Sequence, residues 1–249
     1  MEGRLVRSLA SGDPLAVAVT AAIRAGDLPG LRDLLEAHPG LASARIVERG
    51  AAAGERSLLH IATDWPGHYP RTAAVIRTLV AAGADPAARF AGAHAETPLH
   101  WAASNDDVAA VDALVAAGAD VNAPGAVLGG GTPLTDACGF GQWRAARRLL
   151  ALGARPDLQD AAALGLLDRV EEFLAAGAAP EDVTSAFWQA CHGGRLPTAR
   201  RLLSHGADID WIGYGGLTPL DIALTSENAE LIDWLESSGA HTGARLAPG

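Results

Sequence analysis

Thr97-Pro98-Leu99-His100-Trp101-Ala102-Ala103, followed by Leu114-Val115-Ala116-Ala117-Gly118-Ala119-Asp120-Val121-Asn122, decides the fold of this chain. Both phrases recur in phase. The first returns as Thr132-Pro133-Leu134-Thr135 and Thr218-Pro219-Leu220-Asp221, with a weaker copy at Ser57-Leu58-Leu59-His60. The second supplies a Gly-Ala beat at Gly83, Gly118, Gly153, Gly177, Gly206 and Gly239, with spacings of 35, 35, 24, 29 and 33 residues. A period of roughly 33 residues marks stacked repeats.

Each part of the repeat has a physical use. Proline fits the first helical turn, where its missing N–H costs nothing. The small pair lets an inner helix sit close to its neighbours. Val108, Val111, Leu114 and Val115 fall on one face of a second helix. Glycine after that helix supplies a left-handed cap. One unit cannot bury its apolar face alone, so neighbours must stack.

These motifs closely resemble the ankyrin repeat. The resemblance implies an all-α solenoid of about seven helix-turn-helix units with β-hairpin tips. It covers about residues 15–242, after an N-terminal extension (1–14) and before a C-terminal tail (243–249). The units are expected at about 15–38, 56–86, 96–123, 131–157, 158–179, 183–210 and 216–242. The fifth, 158–179, is degenerate. Its Ala161-Ala162 fits, but the Thr-Pro-Leu-His phrase is missing, and an interrupted row of tips is expected there. Asp64 to Arg71 adds about five residues between the helices of the second unit. Ser43–Arg56, Ala87–Glu96 and Ala123–Gly131 are also long connections.

Composition narrows the function. All 19 cationic residues are arginine, and the net charge is −10. That balance argues against nucleic acid as a partner, since a basic face is the usual footprint. Cys138 and Cys191 both replace the second alanine of the small pair, two repeats apart. Their separation of roughly 20 Å exceeds the ~7 Å that a disulfide allows. Free buried thiols are expected, and no zinc spacing exists. Arg4 and Arg7 before Leu15–Ile23 imitate a short secretion signal, but Asp13-Pro14 interrupts it. No stretch is long enough to span a membrane. A soluble, cytoplasmic protein without a membrane partner is expected.

By the family resemblance, partners contact the hairpin tips and the concave face of the inner helices. Two candidate binding zones follow. The first gathers Asp64, Trp65, His68, Tyr69, Asn105, Asp106, Asp107, Phe140 and Trp143 from repeats 2–4. The second gathers His192 with Trp211 and Tyr214, two aromatics on one tip, exposed for contact or, for Trp211, packed across the shortened fifth-repeat gap. Aromatic walls with acids suit a protein hot spot or a small-molecule pocket. His60 and His100 are expected to bond neighbouring turn backbone. Asp136 and Asp221 are read at the motif His position of different repeats, too far apart for a carboxylate dyad.

The expected function is a protein-interaction module presenting a concave groove to an unidentified protein partner. The alternative is a site for a small hydrophobic molecule in the groove of repeats 2–4, with acid–base chemistry from Asp64, His68 and Asn105. No cofactor or metal is implied; phosphate-loop, nucleophile-elbow and metal-helix motifs are lacking.

Overall fold

The computed structural model describes residues 8–49, 53–226 and 228–246. Arg4 and Arg7, part of the 43–56 connection and the last three residues of the tail lie outside them. The chain divides into two compact units, Met1–Ala154 and Arg155–Gly249.

The first unit holds four helix pairs: α1 (Pro14–Ala25) with α2 (Leu28–Ala37), α3 (Leu58–Thr63) with α4 (Thr72–Ala81), α5 (Pro98–Ser104) with α6 (Val108–Ala116), and α7 (Pro133–Gly139) with α8 (Trp143–Ala151). The phrase that opens a repeat is the start of its inner helix. Ser57, Thr97 and Thr132 are N-caps, each forming a capping box with the residue three positions on: His60, His100 or Thr135. Thr135, not Asp136, therefore holds the motif His position. Asp136 sits one residue further, where α5 carries Trp101.

Small residues let these helices close up. Ala62, Ala102, Ala103, Ala137 and Cys138 are buried, with Leu59, Leu99 and Leu134 beside them. A three-stranded sheet edges this unit. Strand β2 (Arg45–Glu48) pairs antiparallel with β3 (Gly54–Ser57), forming the expected hairpin. Strand β1 (Ser8–Ala10) adds to it in parallel, so part of the N-terminal extension belongs to the fold. Its Leu9 is buried, and the hairpin's free edge is covered.

The second unit holds α9 (Leu158–Leu164) with α10 (Leu167–Ala175), α11 (Pro180–His192) with α12 (Leu196–Leu203), and α13 (Pro219–Ala223) with α14 (Ala229–Ser237), then α15 (Gly243–Leu246). Asp157 caps α9 in a box with Asp160. Counting from that cap puts the small pair at Ala162-Ala163, one residue later than the sequence suggests. Between α10 and α11 only Ala176–Ala179 intervene, leaving no room for a tip. Helix α11 is instead the longest inner helix, at 13 residues. Its core is more aromatic than the rest: Phe187 and Trp188 are buried with Cys191, Leu202 and Leu231.

Neither cysteine is in a disulfide, and both are buried. Burial in apolar surroundings pushes the Cys191 thiol far up, as expected of an inert core cysteine.

Candidate functional site

The groove of repeats 2–4 holds a cavity of about 460 Å³. Asp64 and Trp65 reach it from the end of α3, Trp101, Ser104 and Asn105 from α5, and Phe140 and Gln142 from the turn after α7. Val127, in the connection before α7, and Glu96, just ahead of α5, complete the wall. Trp65 is 79% exposed, Phe140 47% and Val127 38%. The chain thus leaves three large apolar side chains facing water around one cavity.

The enlarged α3–α4 connection presents Trp65 and is itself pinned. Asp64 accepts from Arg24 Nη2 at 2.9 Å, from Arg56 Nη1 at 3.0 Å and from the Trp65 amide at 3.0 Å. Tyr69 donates its hydroxyl to the Trp65 carbonyl. Arg24 sits over the Tyr69 ring, and burial raises the Tyr69 phenol above its ordinary range. The His68 amide bonds Asp107, and His68 Nε2–H donates to the Asn105 carbonyl at 2.8 Å. A carbonyl can only accept, so this bond fixes the proton on Nε2.

The sequence-derived candidates of the first zone therefore separate into two sets. Asp64, Trp65, Asn105 and Phe140 line the cavity. His68, Tyr69, Asp106, Asp107 and Trp143 are absent from its wall. Asn105 also has a scaffold bond, donating Nδ2–H to the Thr63 carbonyl at 2.9 Å. Asp107 is buried, capping α6 through the Ala110 amide. Asp106 adopts φ 54°, the left-handed position that glycine fills as Gly26 and Gly165 in other pairs. Its carboxylate accepts from the Ala145 amide at 2.7 Å and so caps α8. Trp143 is half-buried at the start of α8.

Three contributors were not foreseen from the sequence: Glu96, Val127 and Gln142. Trp101 faces both the packing seam and the groove. Its ring packs edge-on to His60 at 4.9 Å and against Phe90 at 5.5 Å. Glu96 is 7% exposed; burial raises its carboxyl, while a hydrogen bond from Trp101 pulls the other way. Asp136 is fully buried, and no side chain among the described residues hydrogen-bonds its oxygens. Burial, then the charge of Glu96, push it up to about 7; the amides of Val127 and Leu128 offset part of that rise.

The second zone, in the second unit, is tightly packed. Trp211 is half-buried against the core, the packed one of its two expected placements. Tyr214 is exposed but stands edge-on to Trp188 at 5.3 Å and to Trp211 at 6.1 Å. His192 packs on Trp188 at 5.4 Å, and burial lowers its pKa. A Cβ at Gly213 would lie 2.4 Å from Trp211 and 2.9 Å from Trp188. The tip is closed onto α11. Asp221 caps α13, and its carboxylate accepts the Gly243 amide at 2.8 Å, tying α15 down.

Among the described residues no helix is long and apolar enough to cross a membrane, and no cluster of three or more metal-type ligands occurs. Comparison with curated proteins gave no match. The crystal structure of the human ASB11 ankyrin repeat domain is similar: 29% identical, covering 75% of this chain and 85% of that one, with a TM-score of 0.43. The family "Ankyrin repeats (3 copies)" matches residues 59–160, and "Ankyrin repeats (many copies)" matches residues 187–236. With the repeat phrases recurring in phase along the helix pairs and both models matching, the chain belongs to the ankyrin repeat family.

Proposed function

We propose that the groove of repeats 2–4 is the surface on which this protein docks a protein partner. Ankyrin repeats are protein-interaction modules in general. The observation that carries the local assignment is the placement of exposed Trp65, Val127 and Phe140 around one cavity with a polar rim. Rigid aromatic side chains beside a depression are what binding hot spots use. The acid–base alternative has weaker support. Asp64 is held by two guanidinium groups, and His68, whose Nε2–H is engaged, lies outside the cavity wall.

A photoactivatable residue at position 65 tests this reading, with the same residue at exposed Val17 as the control. The expected result is a partner crosslinked from position 65 at one mapped segment, not crosslinked from position 17, and lost when Phe140→Ala is added. Equal crosslinking from both positions, or none from 65 to a partner that still copurifies, would move the docking surface elsewhere.

A further inference from the structure

We propose that this groove takes an arginine side chain of the partner, with the guanidinium between the aromatic walls and the Glu96 carboxylate. This rests on the docking surface proposed above and names the chemistry that the surface recognises.

The first observation is the wall. Trp65, Trp101 and Phe140 offer three aromatic faces, and no Arg, Lys or His lines the cavity with them. Aromatic faces attract cations, most strongly when water is excluded. The second is the acid. Asp64 already has Arg24 and Arg56, but Glu96 hydrogen-bonds neutral Trp101 and has no salt bridge among the described residues, exposed His94 attracting it only from outside the cavity wall. A carboxylate removed from water without a cation is costly, and the group that repays the cost is a cation brought by a ligand.

The third observation is Asp136. Its carboxyl is fully buried, has no side-chain partner among the described residues and is repelled by Glu96, with only the Val127 and Leu128 amides in compensation. Two acids under one groove therefore have no ion-pair partner among the described residues. The net charge of −10 acts in the same direction over longer range, drawing basic segments toward the surface.

Arginine fits this combination better than lysine. Its guanidinium is planar, stacks on indole and phenyl faces and donates through a rigid fork, whereas the lysine ammonium is compact and strongly hydrated. A mostly aromatic wall with one buried carboxylate satisfies the former. The cavity volume also leaves space for the aliphatic stem.

The test uses the intact protein and short blocked peptides. The peptide acetyl-Gly-Arg-Gly-amide is titrated while the indole N–H resonances are followed, with Trp65→Phe and Trp101→Phe assigning the two signals. The citrulline peptide, of the same shape without charge, and the lysine peptide are titrated alongside. Saturable shifts of both indoles are expected with arginine, at least tenfold weaker binding with citrulline, and intermediate binding with lysine. Glu96→Gln should weaken the arginine peptide at least fivefold. Trp65→Ala, at a site too exposed to affect folding, should weaken it similarly. The proposal is overturned if citrulline binds as well as arginine, if neither peptide gives a saturable shift, or if Glu96→Gln binds arginine unchanged. The first of these would leave the docking surface standing without its cation. Loss of site-specific crosslinking from position 65 would instead remove the surface itself.

Discussion

His60 donates its Nε2–H to the main-chain carbonyl of Glu96, at 3.2 Å, tying the start of one repeat to the residue that opens the next. Its Nδ1 accepts from the Ser57 hydroxyl at 2.8 Å. Trp188 repeats the relationship in the second unit. It lies three residues after Ser185, as His60 does after Ser57, and donates Nε1–H to the Leu217 carbonyl at 2.9 Å. Leu217 precedes Thr218 as Glu96 precedes Thr97. An indole thus replaces the motif imidazole without loss of the inter-repeat bond.

The imidazole carries a pH liability that the indole does not. Burial lowers His60 from 6.5 to about 3 and His100 from 6.5 to about 4. Both are neutral in the fold, and the unfolded chain takes up their protons first. The stability they allow is whole above pH 6.5 and is lost as pH falls toward those lowered values. Thermal melts from pH 7 to pH 4 should fall steeply. His60→Gln should lower stability at pH 7 by about 1–3 kcal/mol, through the lost buried bond, and flatten the acid limb. An unchanged acid limb in that variant would sink the assignment.

Asp136 should behave with the opposite sign. Its folded pKa of about 7 lies above its unfolded value of 3.8. The fold is favoured while the carboxyl keeps its proton, below pH 3.8, and that advantage is lost as pH rises through about 7. Asp136→Asn should therefore melt higher than the parent at pH 8, by an amount on the order of a few kcal/mol, and the gain should shrink at pH 5. A lower melting temperature at pH 8 would show that the Val127 and Leu128 amides stabilise the carboxylate by more than its burial costs.

The repeats were legible because each motif residue has one structural use: a capping threonine, a first-turn proline, a small pair and a left-handed glycine. The candidate site was legible only in part. Asp64, Trp65, Asn105 and Phe140 could be placed in the groove because their positions after the small pair are fixed by the helix. Glu96 and Val127 lie in connections that no helical period positions. Asp106 and Asp107 drew notice as a paired acid, yet their carboxylates cap helices. Helix caps and ligand acids use the same residue types, and only the donors around them tell the two apart. Trp188 was readable in principle, since it fills the His position, but an indole there does not look like the motif.

Neighbouring residues Asp64 and Trp65 should separate stability from binding. Asp64 bridges two arginines with its side chain 19% exposed, so Asp64→Ala should cost roughly 1–2 kcal/mol and release the enlarged connection. Trp65→Ala should leave the melting temperature nearly unchanged, because the ring is 79% exposed, while abolishing partner capture. Equal destabilisation by both changes, measured by urea unfolding, would make Trp65 part of the scaffold.

Two glycines should respond to alanine for different reasons. Gly118, after α6, has φ 94° and open space where a Cβ would stand. Alanine there meets only left-handed strain, about 1–2 kcal/mol. Gly193, after α11, has an ordinary φ of −76°, but an added Cβ would lie 2.0 Å from the carbonyl oxygen of Ala163 on α9. That oxygen also accepts from Arg195 Nε at 3.1 Å, so it cannot retreat without breaking a second contact. Gly193→Ala should therefore cost more than Gly118→Ala and should loosen α9 from α11. Hydrogen exchange offers the sharper reading: amides in α9 and α11 should lose protection in Gly193→Ala, whereas Gly118→Ala should leave them as they were. Protection lost uniformly along the chain in Gly193→Ala would contradict a local clash and point to strain spread through the repeats.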